Sequence, residues 1–177
     1  GSSQLDTVER FDPTRNSWEA VASMSTKRFG PAATVLDGKL YAMGGHDGSS
    51  QLDTVERFDP TRNSWEAVAS MSTKRSVPAA TVLDGKLYVM GGNDGSSELD
   101  MVERFDPTRN SWEAVASMST KRSALAATVL DGKLYAMGGY DGSSALDTVE
   151  HFDPTRNSWE AVAPMSSKRG WSQVAVL

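Results

Sequence analysis

The sequence predicts an all-β array of four-stranded units, and three observations lead to this fold class. First, the tripeptide Gly-Ser-Ser recurs every 47 residues, beginning at Gly1, Gly48, Gly95 and Gly142. Second, each complete unit contains four short segments rich in β-branched and aromatic residues, separated by turn residues. Third, no segment shows a sustained apolar period of 3.6 residues, so helix should be nearly absent. A repeat of this length is one supersecondary unit that buries its apolar faces against its neighbours.

The 47-residue period makes the chain one repeat array, with copies at 1–47, 48–94 and 95–141 and a truncated copy at 142–177. The first two copies differ at only four positions. Natural neighbouring repeats usually diverge, because near-identity invites domain swapping between units. The sequence therefore looks engineered from a consensus, or recently amplified.

The first half of the second copy predicts two strands joined by a tight turn. Leu52–Phe58 mixes β-branched, aromatic and charged residues and predicts the first strand. Asp59–Asn63 follows as a turn, since Pro fixes φ, Asp caps its own backbone and Asn tolerates the left-handed region. Ser64–Met71 is the second predicted strand, with Trp65 as its large apolar anchor.

The second half of the copy predicts a hairpin. Ser76–Leu83 and Lys86–Met90 are the third and fourth strands, and the Asp84-Gly85 pair between them is a strong two-residue hairpin signal. A glycine doublet at 91–92 closes the last strand and would let large side chains pack close to the backbone. Large aromatic residues are expected in the core between units, with carbohydrate stacking as the alternative: Trp18, Trp65, Trp112, Trp159, Tyr41, Tyr88 and Tyr135.

Composition removes several functional classes. The 177 residues include 18 basic and 23 acidic side chains, for a net charge of −5, and no Cys. The lack of Cys excludes a disulfide-stapled module, a Cys-ligated zinc site and a Cys nucleophile. Mild acidity argues against nucleic acid and anionic membranes as partners. Neither a membrane span of about 20 apolar residues nor a signal peptide is visible. A soluble cytoplasmic protein is expected, without a native location if it is engineered.

The recurring motifs resemble the Kelch repeat over the whole chain. The segments that carry the resemblance are Leu-Tyr-Ala/Val-Met-Gly-Gly, then Asp-Gly, then Val-Glu-Arg-Phe-Asp-Pro-Thr-Arg-Asn-Ser-Trp. The resemblance implies a β-propeller with one four-stranded antiparallel blade per repeat. Its innermost strand, a, precedes Asp-Gly-Lys. Strand b ends at Gly-Gly, strand c carries Val-Glu-Arg, and strand d carries Trp.

On that assignment the chain runs c–d, then a–b–c–d three times, then a. It would form fifteen strands, with three complete blades and an incomplete fourth that lacks strand b. The unpaired edges of that fourth blade need partners. Three explanations are open: a longer polypeptide, a ring built from several chains, or rearranged terminal strands. The sequence alone gives neither the number of blades nor the number of chains.

Differences between copies concentrate after each Lys-Arg pair and after each Gly-Gly doublet. In a four-stranded antiparallel blade, the d–a and b–c connections emerge on the same face, so these positions should converge on one rim. In similar Kelch domains this rim binds acidic peptides. The resemblance implies the candidate ligand-binding residues Arg28, Arg75, Arg122, Arg169, Ser76, Ser123, Asn93 and Tyr140, and His46 and Trp171 are added as candidates because they lie on the same rim. For the arginines, pairing with nearby carboxylates is the competing interpretation, and His46 and Trp171 depart from the family pattern.

No catalytic, cofactor or metal site is predicted. His46 and His151 occupy different positions in their units, and no third ligand is placed by their spacing. None of the serines stands in a Gly-x-Ser-x-Gly elbow. The favoured hypothesis is a structural protein that self-associates or is completed by further repeats into a ring. The alternative is an interaction module that binds acidic peptides, similar to Kelch substrate adaptors of ubiquitin ligases.

Overall fold

A computed structural model describes residues 3–172 and 174–175, and all regular elements in these residues are five-residue β-strands. The strands, in chain order, are β1 (Val8–Asp12), β2 (Ser17–Val21), β3 (Ala32–Leu36), β4 (Lys39–Met43), β5 (Val55–Asp59), β6 (Ser64–Val68), β7 (Ala79–Leu83), β8 (Lys86–Met90), β9 (Val102–Asp106), β10 (Ser111–Val115), β11 (Ala126–Leu130), β12 (Lys133–Met137), β13 (Val149–Asp153) and β14 (Ser158–Val162).

The strands form three four-stranded antiparallel blades and one two-stranded half-blade. Blade 1 is β3-β4-β5-β6, blade 2 is β7-β8-β9-β10, blade 3 is β11-β12-β13-β14, and the half-blade is β1-β2. The first strand of blade 2, β7, contacts the first strands of both flanking blades, β3 and β11. The predicted propeller with three complete blades and a partial fourth is thereby confirmed. The predicted fifteenth strand falls at the end of the last copy, where residues 173, 176 and 177 lie outside the described part.

Of the four strands predicted in the second copy, β5, β6 and β7 are each shorter at one end than predicted, and β8 has the predicted bounds. Leu52–Thr54 precede β5 instead of joining it, because Leu52 bonds to Gly45 O and Arg75 N in the loops. The residues after β6 and before β7 also belong to a loop, which contacts both blades that it joins. Tertiary hydrogen bonds, which the local pattern does not encode, explain the difference.

Turn chemistry agrees with the residues that predicted it. Asp84 and Gly85 both have positive φ, 50° and 68°, as a two-residue hairpin loop of the I′ type requires. Asn63 is left-handed at φ 47°. Asp59 Oδ1 accepts hydrogen bonds from Thr61 N at 2.9 Å and from Thr61 Oγ1 at 2.6 Å, which closes the β5–β6 turn.

Apolar core lies between successive blades. Tyr41 and Met43 of blade 1 pack against Leu87 and Phe105 of blade 2, and the Tyr41 and Phe105 ring centroids are 5.9 Å apart. The same contact recurs one repeat later, where the Tyr88 and Phe152 centroids are 6.0 Å apart. Core placement is thus confirmed for Tyr41 and Tyr88, while Trp65, Trp112, Trp159 and Tyr135 are half-buried. Trp18 departs from the prediction, because its side chain is 66% exposed.

The glycine doublets permit a close approach of backbone, and not only of large side chains. A Cβ on Gly91 would lie 2.2 Å from Arg122 O, a carbonyl in the next loop. Gly91 also has φ 61°, a conformation that residues with a Cβ adopt at a cost. The doublet is therefore required by the junction between blades 2 and 3.

Candidate interaction surfaces

The guanidinium of Arg75 is buried, and both of its terminal nitrogens donate hydrogen bonds to blade 2. Arg75 is 0% exposed, and its Nη2 donates to Glu103 Oε1 at 2.7 Å. Its Nη1 donates to the carbonyls of Gly91 at 2.8 Å and Met101 at 3.1 Å. The corresponding pairs Arg28–Glu56 and Arg122–Glu150 each have an N–O distance of 2.9 Å.

Each of these glutamates also caps the loop that precedes its blade. Glu56 Oε2 accepts from Ser25 N at 2.7 Å and from Ser25 Oγ at 2.6 Å. Burial opposes ionisation of Glu56, but the hydrogen bonds from Ser25 and Arg28 outweigh it, so its pKa lies below the ordinary value. The same balance lowers the pKa of Glu150. The Glu56 and Glu150 carboxyl groups are therefore ionised at neutral pH.

These contacts place Arg28, Arg75 and Arg122 in the interior, away from the rim on which they were expected to meet a ligand. Their guanidinium groups satisfy carboxylates and carbonyls of the same chain, so we assign them a structural role. A signal for this role exists in the sequence: a glutamate follows each of the three arginines by 28 residues, in strand c of the blade that the arginine enters.

Arg169 differs from the other three arginines. Its backbone makes the same bonds, with Gly139 N donating to Arg169 O at 2.7 Å and Arg169 N donating to Leu146 O at 2.9 Å. Its side chain, however, is exposed. Glu9, which occupies the position of Glu56 one repeat earlier, is exposed as well. One arginine and one glutamate of the repeated pair thus face solvent at opposite ends of the array.

The other predicted rim residues come together in pairs at the entrance of each blade. Antiparallel bridges join Phe29 to His46, Ser76 to Asn93 and Ser123 to Tyr140. The d–a and b–c connections therefore lie side by side, which is the geometry that the antiparallel blade predicts. Asn93 Nδ2 donates to Glu98 Oε1 at 3.2 Å, Tyr140 is 40% exposed, and Ser123 is buried.

A chain of backbone hydrogen bonds links successive d–a loops. Val77 N donates to Gly30 O at 2.8 Å, Ala124 N to Val77 O at 2.9 Å, and Trp171 N to Ala124 O at 2.9 Å. All four residues have positive φ, between 47° and 60°. Trp171, the last residue in this chain of bonds, has a side chain that is 70% exposed. Trp171 is thus bonded to the same d–a loops that carry the paired residues, whereas the side chains of Arg28, Arg75 and Arg122 are buried.

Successive blades are also joined at the outer edge by one repeated set of hydrogen bonds. Trp65 Nε1 donates to Ala22 O at 2.8 Å, and Ala22 N donates to Asn63 Oδ1 at 2.9 Å. The set recurs at the next two junctions with Trp112 on Ala69 and Trp159 on Ala116, each at 2.8 Å.

The array has two open faces whose groups match this junction set. We call Glu9, Asn16 and Trp18 of the half-blade the leading face, and Ala163, Ser166 and Arg169 beyond β14 the trailing face. All six residues are exposed. The junction between the half-blade and blade 1 shows how the two faces match. The counterparts of the trailing-face residues there are Ala22, Ser25 and Arg28. They bond to the counterparts of the leading-face residues, which are Glu56, Asn63 and Trp65.

Neither a metal centre nor a membrane-spanning helix is found in the described residues. No group of three or more His, Asp or Glu side chains among them could hold a metal ion. Within residues 3–172 and 174–175, no helix is long and apolar enough to cross a membrane.

Comparisons with known proteins agree with this architecture. Kelch-like protein 5 of Homo sapiens is 54% identical over 43 residues, which are 24% of this chain and 6% of that protein. Kelch-like protein 11 of Homo sapiens is 48% identical over 40 residues, or 23% of this chain and 6% of that protein. Each match therefore spans a small part of the relative. The solved structure of YjhT aligns with 95% of this chain and 68% of its own, at 18% identity and a TM-score of 0.79.

A family model matches most of the chain. The Kelch motif is found at residues 1–25, 27–72, 74–119 and 121–166, in agreement with the repeated strand order and the blade topology. The chain belongs to the Kelch-motif family.

Proposed function

We propose that this chain is a non-enzymatic assembly module, which extends its array of blades by docking further blades of the same sequence onto its two open faces. The observation that carries the proposal is the junction bond set, present three times inside the chain. Because the leading and trailing faces carry the two halves of that set, they are complementary in both hydrogen bonding and charge.

The internal junctions supply the expected contacts. The Trp18 indole N–H would donate to Ala163 O, as Trp65 donates to Ala22 O. Glu9 would accept from Ser166 and Arg169, as Glu56 accepts from Ser25 and Arg28. A contact between unlike patches of two molecules is heterologous, and it closes into a ring when the rotation per unit allows.

The partner in this proposal is a second copy of the chain, or further repeats of one longer polypeptide, and the product is a closed symmetric ring. Near-identity of the copies supports it, since any blade can then follow any other with the same contacts. The same near-identity supports an engineered or consensus origin.

The test is the solution mass of the chain and of charge-exchange variants. By light scattering, the wild-type protein is expected to form one discrete species at an integral multiple of 19.1 kDa. Glu9→Lys and Arg169→Glu should each reduce the assembled fraction, because every junction then holds two like charges. An equimolar mixture of the two variants should restore assembly, since each junction regains one acidic and one basic partner.

Lys168→Glu is the matched control, because Lys168 is exposed beside Arg169 and has no counterpart in the junction bond set. It should leave the assembled fraction unchanged. A 19.1 kDa monomer at all protein concentrations, or a mixture no better assembled than its components, would refute the proposal.

A second candidate function is protein interaction through the loop rim, and the exposed aromatic residues Tyr140 and Trp171 favour it. The Kelch family and fold support such a module. An acidic peptide remains the proposed ligand, with exposed Lys74 and Lys121 replacing the buried arginines as its cationic contacts. Binding of a labelled acidic peptide should weaken in Tyr140→Ala and in Lys121→Ala. Unchanged affinity in both variants would argue against this candidate.

A further inference from the structure

Strand β1 has an open edge where the complete blades carry a paired strand. In blade 1, β5 lies between β4 and β6, with Leu40 opposite Phe58 and Met43 opposite Val55. β1 is the counterpart of β5 one repeat earlier, and among the described residues it pairs only with β2. Its second edge therefore presents backbone N–H and C=O groups that can accept another strand.

An apolar groove lies beside this edge, between the half-blade and blade 1. It has a cavity volume of about 260 Å³, and its apolar lining includes Val8, Val21, Val35, Leu40 and Phe58. Val35 is 58% exposed there, whereas its counterparts in blades 2 and 3 are half-buried.

The complete blades show what fills the same space at the next junction. Tyr41 and Met43 of β4 are 2% and 0% exposed, and both belong to the core shared with blade 2. The partner of Tyr41 in that core is Phe105, the counterpart of Phe58. A strand added beside β1 would bring a tyrosine onto Phe58 and a methionine beside Val8 in the same way.

We propose that this groove binds an extended peptide with the pattern Leu-Tyr-Ala-Met, which adds as an antiparallel strand to β1. The β4–β5 register fixes the alignment, with the peptide Leu opposite Phe11, Tyr opposite Arg10 and Met opposite Val8. Main-chain hydrogen bonds to the β1 edge supply affinity, and the alternate side chains that enter the groove supply specificity. One chain forms the whole groove, so binding does not require assembly into a ring.

The probe is a fluorescein-labelled peptide with the sequence of residues 37–45, Asp-Gly-Lys-Leu-Tyr-Ala-Met-Gly-Gly. Anisotropy should show saturable binding of one peptide per chain. The control peptide replaces Tyr and Met by Ser, which removes both groups that enter the groove, and it should bind at least about tenfold more weakly. Amide hydrogen exchange should report new protection in β1, which an unrelated surface site would not produce.

Two protein variants locate the site. Val35→Lys introduces an ammonium into the apolar groove and should weaken peptide binding at least about tenfold. Leu130→Lys changes another exposed apolar residue, which lies in blade 3, far along the array from β1, and it should leave binding unchanged.

Peptide binding is measured in the Arg169→Glu background, in which the proposed assembly is impaired, and assembly is measured separately in the wild-type protein. Peptide binding to the variant together with a monomeric wild-type protein would support the groove and refute only the assembly. An assembled wild-type protein together with no peptide binding to the variant would refute only the groove. Absence of saturable binding up to about 1 mM peptide, or equal affinity of the two peptides, would overturn the inference.

Discussion

Arg75 forms a buried ion pair with Glu103 of blade 2, and its backbone connects this pair to blade 1. Arg75 O accepts from Gly45 N of blade 1 at 2.9 Å, while its Nη2 donates to Glu103 Oε1 of blade 2 at 2.7 Å. Backbone and side chain of one residue thus hold different blades. Equivalent ion pairs are formed by Arg28 and Arg122, so each of the three junctions contains one buried arginine–glutamate pair.

Removal of this arginine should destabilise the protein strongly. Arg75→Met leaves Glu103 buried without its cation, and breaking a buried pair in this way costs about 3–5 kcal/mol. Arg104→Ala is the control, because the Arg104–Glu113 pair is partly exposed and should contribute less than about 1 kcal/mol. Urea unfolding followed by fluorescence measures both. Equal losses in the two variants would contradict the assigned role of Arg75.

Stability should fall as the solution becomes acidic. The pKa values of Glu56 and Glu150 are lowered in the folded protein by hydrogen bonds that outweigh burial. A lowered folded pKa stabilises the protein above the unfolded glutamate pKa of about 4.3, and that contribution is lost as pH falls through the folded value. The urea midpoint should therefore drop between neutral pH and about pH 3, and less steeply in Glu56→Gln. An equal slope in that variant would argue against a contribution from Glu56.

Two tryptophans at equivalent positions should respond differently to the same change. Trp65→Phe removes the indole N–H that bonds to Ala22 O at 2.8 Å, which should cost about 1 kcal/mol. Trp18→Phe changes a side chain that is 66% exposed, so the single chain should lose less than about 0.5 kcal/mol. Chemical denaturation at low protein concentration, below assembly, makes the comparison. A larger loss of unfolding free energy in Trp18→Phe than in Trp65→Phe would contradict the role assigned to the Trp65–Ala22 hydrogen bond.

Substitution of two glycines by alanine should distinguish the cost of a left-handed backbone from the cost of a steric clash. Gly85→Ala, at φ 68° with nothing within 4 Å of the added Cβ, should cost about 1–2 kcal/mol through the left-handed conformation alone. Gly91→Ala has a similar φ but places the Cβ 2.2 Å from Arg122 O, so the junction with blade 3 must move. Thermal unfolding should show a clearly larger loss for Gly91→Ala. Similar losses would mean that the doublet is required only for its φ.

Local patterns in the sequence determined much of the blade. The 47-residue period is visible in the sequence itself, and the Asp84-Gly85 turn depends on interactions within a few residues, which residue type alone specifies. The strand Lys86–Met90 followed from the turn residues on both sides of it. The pairing of Ser76 with Asn93 also followed, because the order of antiparallel strands brings those two loops to one face.

Contacts between blades were decided only by the tertiary structure. The sequence predicted that Arg75 lies on the ligand-binding rim, but its guanidinium is buried against Glu103, which lies 28 residues further along the chain. Trp18 and Trp65 stand in identical local sequences, yet only Trp65 has a preceding blade to pack on and bond. Burial depends on whether a neighbouring blade covers the residue. Because the copies have the same local sequence, that sequence does not determine which copy has such a neighbour.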